Sequence, residues 1–387
     1  MYPYHNCIKR RIKAGELESF VFADEYKGIK DCILLIFSTY PHIRVIRNYR
    51  FVEYLPILNN FSKMIDFQEI KSKYQMIFGD SDTYCDAVFS YVYSCDNIRY
   101  LLANERVATF TFLLDKKISV CNKLLDSIFF SGVGTIPDFR GQGYMKNLVK
   151  TCLLEGASKG IPLATLSPAN ENYYSSCGFR TIERGERVEN LNAQEGYSIR
   201  FIESAEEYFS LYSKLNSISN VFIKKNIDDC EKILKVLSCD GGGVFKVFEG
   251  DKYLGYFLYD GSESFEYDLD ITAFSKIPYV KNYTKYGAGE SRFMARILRV
   301  DSVLDGIECL VDLDINITVL DKFLDRRENL ILKNRNGVIA VNKSNDTGVL
   351  ISVEDLTDWY FGRSSPICEK VFGFRRECKI TLFDRYL

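Results

Sequence analysis

Apolar positions in the middle of the chain follow two periods, and the switches between them mark the elements. Phe67 to Ile77 repeats at helical spacing, Gly79-Asp-Ser-Asp82 is a turn with an N-cap residue, and Tyr84 to Tyr93 reads as a second helix. Ile98-Arg-Tyr-Leu-Leu102, Asn104-Glu105 and Val107-Ala-Thr-Phe-Thr-Phe-Leu113 read as a hairpin, and Ser127 to Ile136 as the next strand. Gly141 to Ser158 predicts an amphipathic helix with Leu148, Val149, Cys152 and Leu153 on one face and a stop near Gly160. A strand at 162–167, a short helix through Tyr174 and a strand after Phe179 follow.

The flanks are patterned less clearly. Phe20-Val-Phe-Ala23 and Cys32-Ile-Leu-Leu-Ile-Phe37 read as strands, and His42 to Arg50 is basic and alternating, so residues 1–62 predict a small α+β extension without an assigned role. The chain turns polar around Glu183–Gly196, which marks a boundary. Beyond it come helices near Ala205–Leu215 and Asp228–Leu237, a turn at Cys239-Asp-Gly-Gly-Gly243, and strands at Val244–Phe248, Tyr253–Tyr259 and Ser264–Ile271. No Arg-x-x-Gly turn follows these strands, which speaks against a phosphate cradle there. A last segment opens on Phe293-Met-Ala-Arg-Ile-Leu-Arg-Val300. It runs through Val311–Ile315, Gly337–Asn342 and Val349–Val353 to a helix at Val353–Phe361 that ends at Gly362. The fold class is α+β (mixed α/β), divided as 1–62, 63–190, 191–290 and 291–387.

Composition narrows the function classes. The length suits two or three domains. A net charge of −2 disfavours a protein that works by general attraction to nucleic acid. No apolar run approaches the roughly 18 residues that span a bilayer, and Met1-Tyr-Pro-Tyr-His-Asn-Cys7 lacks an apolar signal region. The 12 cysteines are scattered without a Cys-x-x-Cys and sit mostly in apolar segments, which suits reduced thiols, a cytoplasmic location and no structural metal. The 2 histidines, His5 and His42, lie outside the patterned region, which disfavours histidine-based catalysis.

The candidate chemistry lies in Val133-Gly-Thr-Ile-Pro-Asp-Phe-Arg-Gly-Gln-Gly-Tyr-Met145: a strand, a turn and a helix start. Backbone N–H groups at a helix start lack intrahelical partners and, with the helix dipole, attract phosphates. Gly141 and Gly143 allow close backbone approach. Further on stands Tyr174-Ser-Ser-Cys-Gly178-Phe179. In this order the two motifs resemble the coenzyme A site of the GNAT acyltransferases, and two helices, three strands, helix, strand, helix, strand is the order of a GNAT domain.

From about residue 64 onward the pattern resembles the Eis family (enhanced intracellular survival proteins), which carry two GNAT-like domains and a sterol-carrier-protein-like domain. The resemblance rests on Pro137-Asp-Phe-Arg140-Gly-Gln-Gly143-Tyr-Met145, Leu166-Ser-Pro-Ala-Asn170-Glu171 with Tyr174-x-x-x-Gly178-Phe179, Met294-Ala-Arg-Ile-Leu-Arg-Val300, and Val353 to Gly362. It implies a catalytic GNAT domain at 63–190, a trimmed non-catalytic copy at 191–290 and a sterol-carrier-protein-2-like domain at 291–387. The second GNAT-like region is short, and the loop between Asn170 and Tyr174 is shorter than in many GNAT domains.

The resemblance also implies roles. Acetyl-CoA would lay its pyrophosphate on the backbone of Gly141, Gln142, Gly143, Tyr144 and Met145, with Arg140 adding charge. Its pantetheine arm would follow Val133, Gly134 and Thr135, and Asn170 would stand at the cofactor. Tyr174 would be the general acid for the departing thiolate, with Tyr173 as the neighbouring alternative. The C-terminal carboxylate of Leu387 would orient or deprotonate the amine, with Glu171 as another possible base. The acceptor would be a primary amine of a cationic small molecule or a protein lysine, and the assembly a homo-oligomer, a hexamer or a trimer. The competing reading is a lipid- or acyl-CoA-binding protein without turnover.

Overall fold

The computed structural model describes residues 66–184, 196–259 and 291–381, together with the backbone of strands at 34–36, 43–47, 50–55 and 264–267. The first three strands, β1 (Leu34–Ile36), β2 (Ile43–Arg47) and β3 (Arg50–Leu55), form an antiparallel sheet. Then come α1 (Phe67–Phe78), α2 (Asp82–Tyr91), β4 (Ile98–Ala103), β5 (Arg106–Val120), β6 (Lys123–Thr135), α3 (Tyr144–Ser158), β7 (Leu163–Leu166), α4 (Glu171–Ser175) and β8 (Arg180–Arg184). The next stretch holds β9 (Tyr197–Phe201), α5 (Ala205–Ser217), β10 (Val221–Ile223), α6 (Ile227–Ser238), β11 (Gly243–Glu249), β12 (Lys252–Tyr259) and β13 (Ser264–Tyr267). The last holds β14 (Ser291–Ile297), α7 (Val300–Leu304), β15 (Asp314–Asp321), β16 (Arg326–Arg335), β17 (Val338–Lys343), β18 (Val349–Ser352), α8 (Val353–Tyr360), α9 (Pro366–Phe372) and β19 (Ile380–Thr381).

Local chemistry sets most boundaries. Asp66, Ser81, Asn170, Ser204, Asn226 and Ser352 each cap a helix start by accepting a backbone N–H. The β4–β5 hairpin turns on Asn104 (φ 48°) and Glu105 (φ 61°), the two positive-φ residues that a tight two-residue hairpin needs.

The central sheet is built from every part of the described chain after residue 66. Its order is β19-β10-β5-β6-β7-β14-β8, with β4 on the first half of β5. Only β6–β7 and β10–β19 pair in parallel. Two further sheets, β13-β12-β11-β9 and β17-β16-β15-β18, stand apart from it. Strands β10 and β19 went unread in the sequence because two or three residues carry no period.

The first strand after the undescribed stretch 268–290 joins the central sheet. Residues 291–297 form β14, which inserts between β7 and β8 in the central sheet, with Met294 beside Leu166 on one side and Thr181 on the other. A strand buried on both faces reads as a continuous apolar run, which is what Phe293–Leu298 offers apart from one charge. That charge is Arg296, fully buried. Its guanidinium donates to the Cys177 carbonyl and to the carboxylate of Asp321, which also accepts from Arg326 at 3.1 Å and from the Leu324 N–H at 3.0 Å. The pair joins the central sheet to the β15–β16 hairpin.

Burial works to raise the Asp321 carboxyl, but Arg296 and Arg326 outweigh it and hold the carboxyl below its ordinary value. A carboxyl lowered in the fold stabilises it above the unfolded value of about 3.9, and that contribution disappears as pH falls through the folded value. Asp321→Asn is therefore expected to flatten the acid side of the stability profile. Arg296→Met leaves a buried carboxylate short of its main partner and is expected to cost roughly 3–5 kcal/mol. Urea unfolding followed by the emission of Trp359, the single and fully buried tryptophan, checks both.

Candidate active site

Strand β6 decides the geometry. It pairs with β7 only from Ser127–Phe130 against Leu163–Leu166, and then runs on to Thr135 while β7 stops. Its partners on β5 jump from Gly134 opposite Phe110 to Ser131 opposite Phe112. Two steps on β5 thus match three on β6, so β6 carries one extra residue, a β-bulge that turns it away from β7. Among the described residues no strand pairs with Ser131–Thr135 on the side where β7 ended. Gly132 makes the bulge possible: its φ is +56°, and a Cβ there would lie 2.9 Å from Tyr74 Cε2.

The bulge is held firmly. Thr109 and Thr111 hydroxyls donate to the Gly134 and Ser131 carbonyls at 2.8 and 3.0 Å. Tyr93 Oη pairs with Ser131 Oγ at 2.7 Å, and the Tyr93 ring stacks on Phe112 at 3.7 Å. Tyr74 and Tyr93 went unread as site neighbours, because Tyr74 sits on the ordinary apolar face of α1 and Tyr93 in the loop just after α2. A Cβ at Gly134 would lie 3.0 Å from Ile77 Cδ1 and from Phe110 Cζ, so α1 and β5 pack tightly against this glycine.

After β6, Pro137–Phe139 makes one 3₁₀ turn and Arg140 Nε donates to the Thr135 carbonyl at 3.2 Å. Gly141 (φ 73°) and Gly143 (φ 81°) follow, both exposed, and α3 starts at Gly143 with no side-chain cap. Gln142 is occupied with the Asp138 carbonyl at 2.9 Å. The first N–H groups of α3 thus have no side-chain cap, an arrangement suited to a phosphate. The other end of α3 is pinned to β4 by a bidentate ion pair, Arg99 Nε and Nη2 to Glu155 at 2.9 and 2.7 Å.

Tyr174 lies in one apolar cluster with Phe130, Leu148, Val149 and Leu166, against which Val133, Tyr144 and Met145 also pack. The expected strand, turn and tyrosine are thereby brought together. Tyr174 is 8% exposed, and its hydroxyl makes no hydrogen bond among the described residues. Burial, then Cys177 and Tyr173, push its pKa above the ordinary value of 10.0, so it stays a neutral O–H at physiological pH. Tyr173 is 57% exposed and outside the cluster. Cys177 is buried, which raises its thiol and leaves it unsuited as a thiolate nucleophile.

The remaining candidates stand apart. Asn170 is exposed, and its side chain is taken up in capping α4 through the Asn172 N–H at 2.9 Å. Glu171 accepts from Thr181 Oγ1 at 2.7 Å and pairs with Arg184 at 3.2 Å. The hydroxyl first, and the arginine with it, lower its pKa and make it a poorer base. Leu387 lies outside the described residues. Among the described residues there is no group of three or more metal-ligating side chains, and no helix is long and apolar enough to cross a membrane.

Comparison with known proteins names the class. Residues 62–182 match the family described as Acetyltransferase (GNAT) domain, so this stretch is an acetyltransferase domain and the chain is an enzyme of that kind. The matched stretch stops before β14, although β14 completes the same sheet. The architecture as a whole is similar to that of solved proteins over about four-fifths of the chain. A GCN5-related N-acetyltransferase from Anabaena variabilis ATCC 29413 aligns with TM-score 0.59 and 17% identity, covering 81% of this chain and 92% of that one. One from Kribbella flavida aligns with TM-score 0.55 and 14% identity, covering 79% and 88%. Eis1 from Mycobacterium abscessus aligns with TM-score 0.55 and 11% identity, covering 81% and 92%. At such low identities the structural likeness shows a shared fold alone. No curated protein matches by sequence.

The turn that carries Tyr174 depends on Gly178, whose φ is +80° and whose Cβ would collide with Arg296 Nη1. Gly178→Ala is therefore expected to lower stability by roughly 1–3 kcal/mol and to lose acetyl transfer in proportion to the displaced turn. Thermal unfolding and a turnover assay check this; an unchanged melting temperature contradicts it.

Proposed function

We propose that the chain moves an acetyl group from acetyl-CoA to a primary amine of a cationic small molecule or a protein lysine, with Tyr174 as general acid. The observation that carries this reading is the meeting of the bulged end of β6, without a strand on its β7 side among the described residues, the uncapped start of α3 and the buried Tyr174 around one apolar cluster. The residues present fit the cofactor: the α3 N–H groups and Arg140 suit its phosphates, and the free edge of Val133–Thr135 suits the amide-rich arm. When bound, acetyl-CoA supplies an activated acetyl group. Tyr174 holds a proton at Oη, in an apolar surround that favours its neutral form, and gives it to the departing sulfur.

The C-terminal carboxylate of Leu387 is our proposal for the group that orients or deprotonates the amine. Its support is directional. Thr381 aligns with Leu124 of β6 through Phe222 and Ser119, and β19 runs the same way as β6. The Eis-like subfamily, the trimmed second GNAT-like region, the sterol-carrier-like final region and assembly into a hexamer or trimer remain parts of this proposal and rest on the sequence resemblance.

CoA release with acetyl-CoA and a panel of polyamines, aminoglycosides and lysine peptides tests the reading. Tyr174→Phe is expected to lower kcat by about 10²–10⁴-fold while acetyl-CoA binding is kept. Equal kcat in the variant removes the acid role. Binding without turnover on any amine favours an acyl-CoA-binding protein instead.

A further inference from the structure

The tip of the β5–β6 hairpin carries an unusual turn. Its two residues are Cys121 (φ 48°) and Asn122 (φ 68°), between Val120 and its partner Lys123. A tight hairpin of this kind favours asparagine and glycine, and a cysteine at positive φ is uncommon. Cys121 Sγ lies 3.8 Å from Cys378 Sγ, which comes from the far end of the chain just before β19.

The approach is organised by neighbours. Asn220 serves both sides: its carbonyl accepts the Cys121 N–H at 2.6 Å, its Nδ2 donates to the Glu377 carbonyl at 3.0 Å, and its Oδ1 accepts the Lys379 N–H at 2.7 Å. Cys378 is thus held through both of its chain neighbours. Gly362 closes over it: a Cβ there would come within 2.9 Å of Cys378 Cβ. On the other side of the tip, Lys123 Nζ donates to the Ser302 carbonyl at 2.6 Å. Neither cysteine is fully buried.

A charge sits beside the pair. Arg376 is 7% exposed and stacks over Tyr360 at 4.6 Å, and its Nη1 has no hydrogen-bond partner among the described residues. The Cys378 thiol first, and Arg376 with it, lower the Cys121 pKa; the same contact with Cys121, and burial, raise that of Cys378. The two shifts run in opposite directions, so Cys121 is the more readily ionised thiol of the pair. A low-pKa, accessible thiolate next to a second thiol is the arrangement of a reactive pair.

We propose that Cys121 and Cys378 form a thiol–disulfide site that reacts with low-molecular-weight disulfides and fastens the chain's last segment to the tip of the central hairpin. The thiolate of Cys121 attacks one sulfur of a small disulfide RSSR. An S–S bond to Cys121 forms, the RS–SR bond breaks, and RS⁻ leaves and takes a proton from water. Cys378 then loses its proton and attacks the Cys121 sulfur, releasing a second RSH. Two electrons pass from the protein thiols to RSSR, which is reduced to two RSH. The sulfurs close from 3.8 Å to about 2.05 Å. The bond crosslinks positions far apart in the chain, directly upstream of β19.

The test treats the full chain with oxidised glutathione and with dithiothreitol, then maps peptides by mass spectrometry without reduction. The expected product is a crosslinked peptide joining Cys121 and Cys378, with a melting temperature several degrees above that of the reduced protein. Cys378→Ala is expected to trap a glutathione adduct on Cys121 and lose the shift, and Cys121→Ser to lose both. A wild type that yields no crosslink, a crosslink of Cys121 to another cysteine, or adducts only at the exposed Cys95 overturns the proposal, and the wild-type map alone decides should a variant fail to fold.

Discussion

A guanidinium shut away from water holds together three parts of this protein. Arg296 stands on β14, reaches across to the carbonyl of Cys177 in the turn that carries Tyr174, and meets Asp321 at the end of β15. Such a charge is stable in an interior only where it is paired and hydrogen-bonded; here two of its nitrogens meet acceptors, while Nε has none among the described residues. The position of β14, the course of the Tyr174 turn and the seating of the β15–β16 hairpin are therefore one arrangement. Gly178 belongs to it, because no side chain fits between the turn and the arginine. A strand from the last third of the chain completes the sheet that the acetyltransferase domain begins.

The same sheet opens at one place. One extra residue on β6 curves that strand away from β7, and the helix after it begins at a glycine with no side-chain cap. Both features leave main-chain groups in one neighbourhood without a strand or side-chain cap among the described residues, where most elsewhere are satisfied. The surrounding packing is dense: Tyr93 on Phe112, Tyr74 against Gly132, and two buried threonines fixing β6 carbonyls. A rigid wall with an open polar edge is what orients a long, flexible, phosphorylated donor beside a fixed proton source.

Much of this was legible because it is written locally. Helical period, capping residues and the Asn104-Glu105 turn place the elements from 67 to 184, and the Arg140-Gly-Gln-Gly143 stretch marks its own helix start. Pairing between distant segments is not written locally. Phe293–Leu298 looks like a buried strand, but nothing within it names β7 and β8 as neighbours. The one cue was Arg296, a lone charge in an apolar run, which signals a buried acceptor elsewhere. Strands β10 and β19 are too short to show a period, and Tyr93 looks like any core aromatic until Ser131 is placed beside it.

Amide hydrogen exchange with and without acetyl-CoA tests the central claim most directly. Binding at the opened edge predicts slowed exchange in two separate segments, 131–135 at the end of β6 and 141–147 at the start of α3, with little change in the β15–β18 sheet. Unchanged exchange in both segments at saturating acetyl-CoA, or protection confined to the β15–β18 sheet, would contradict the account.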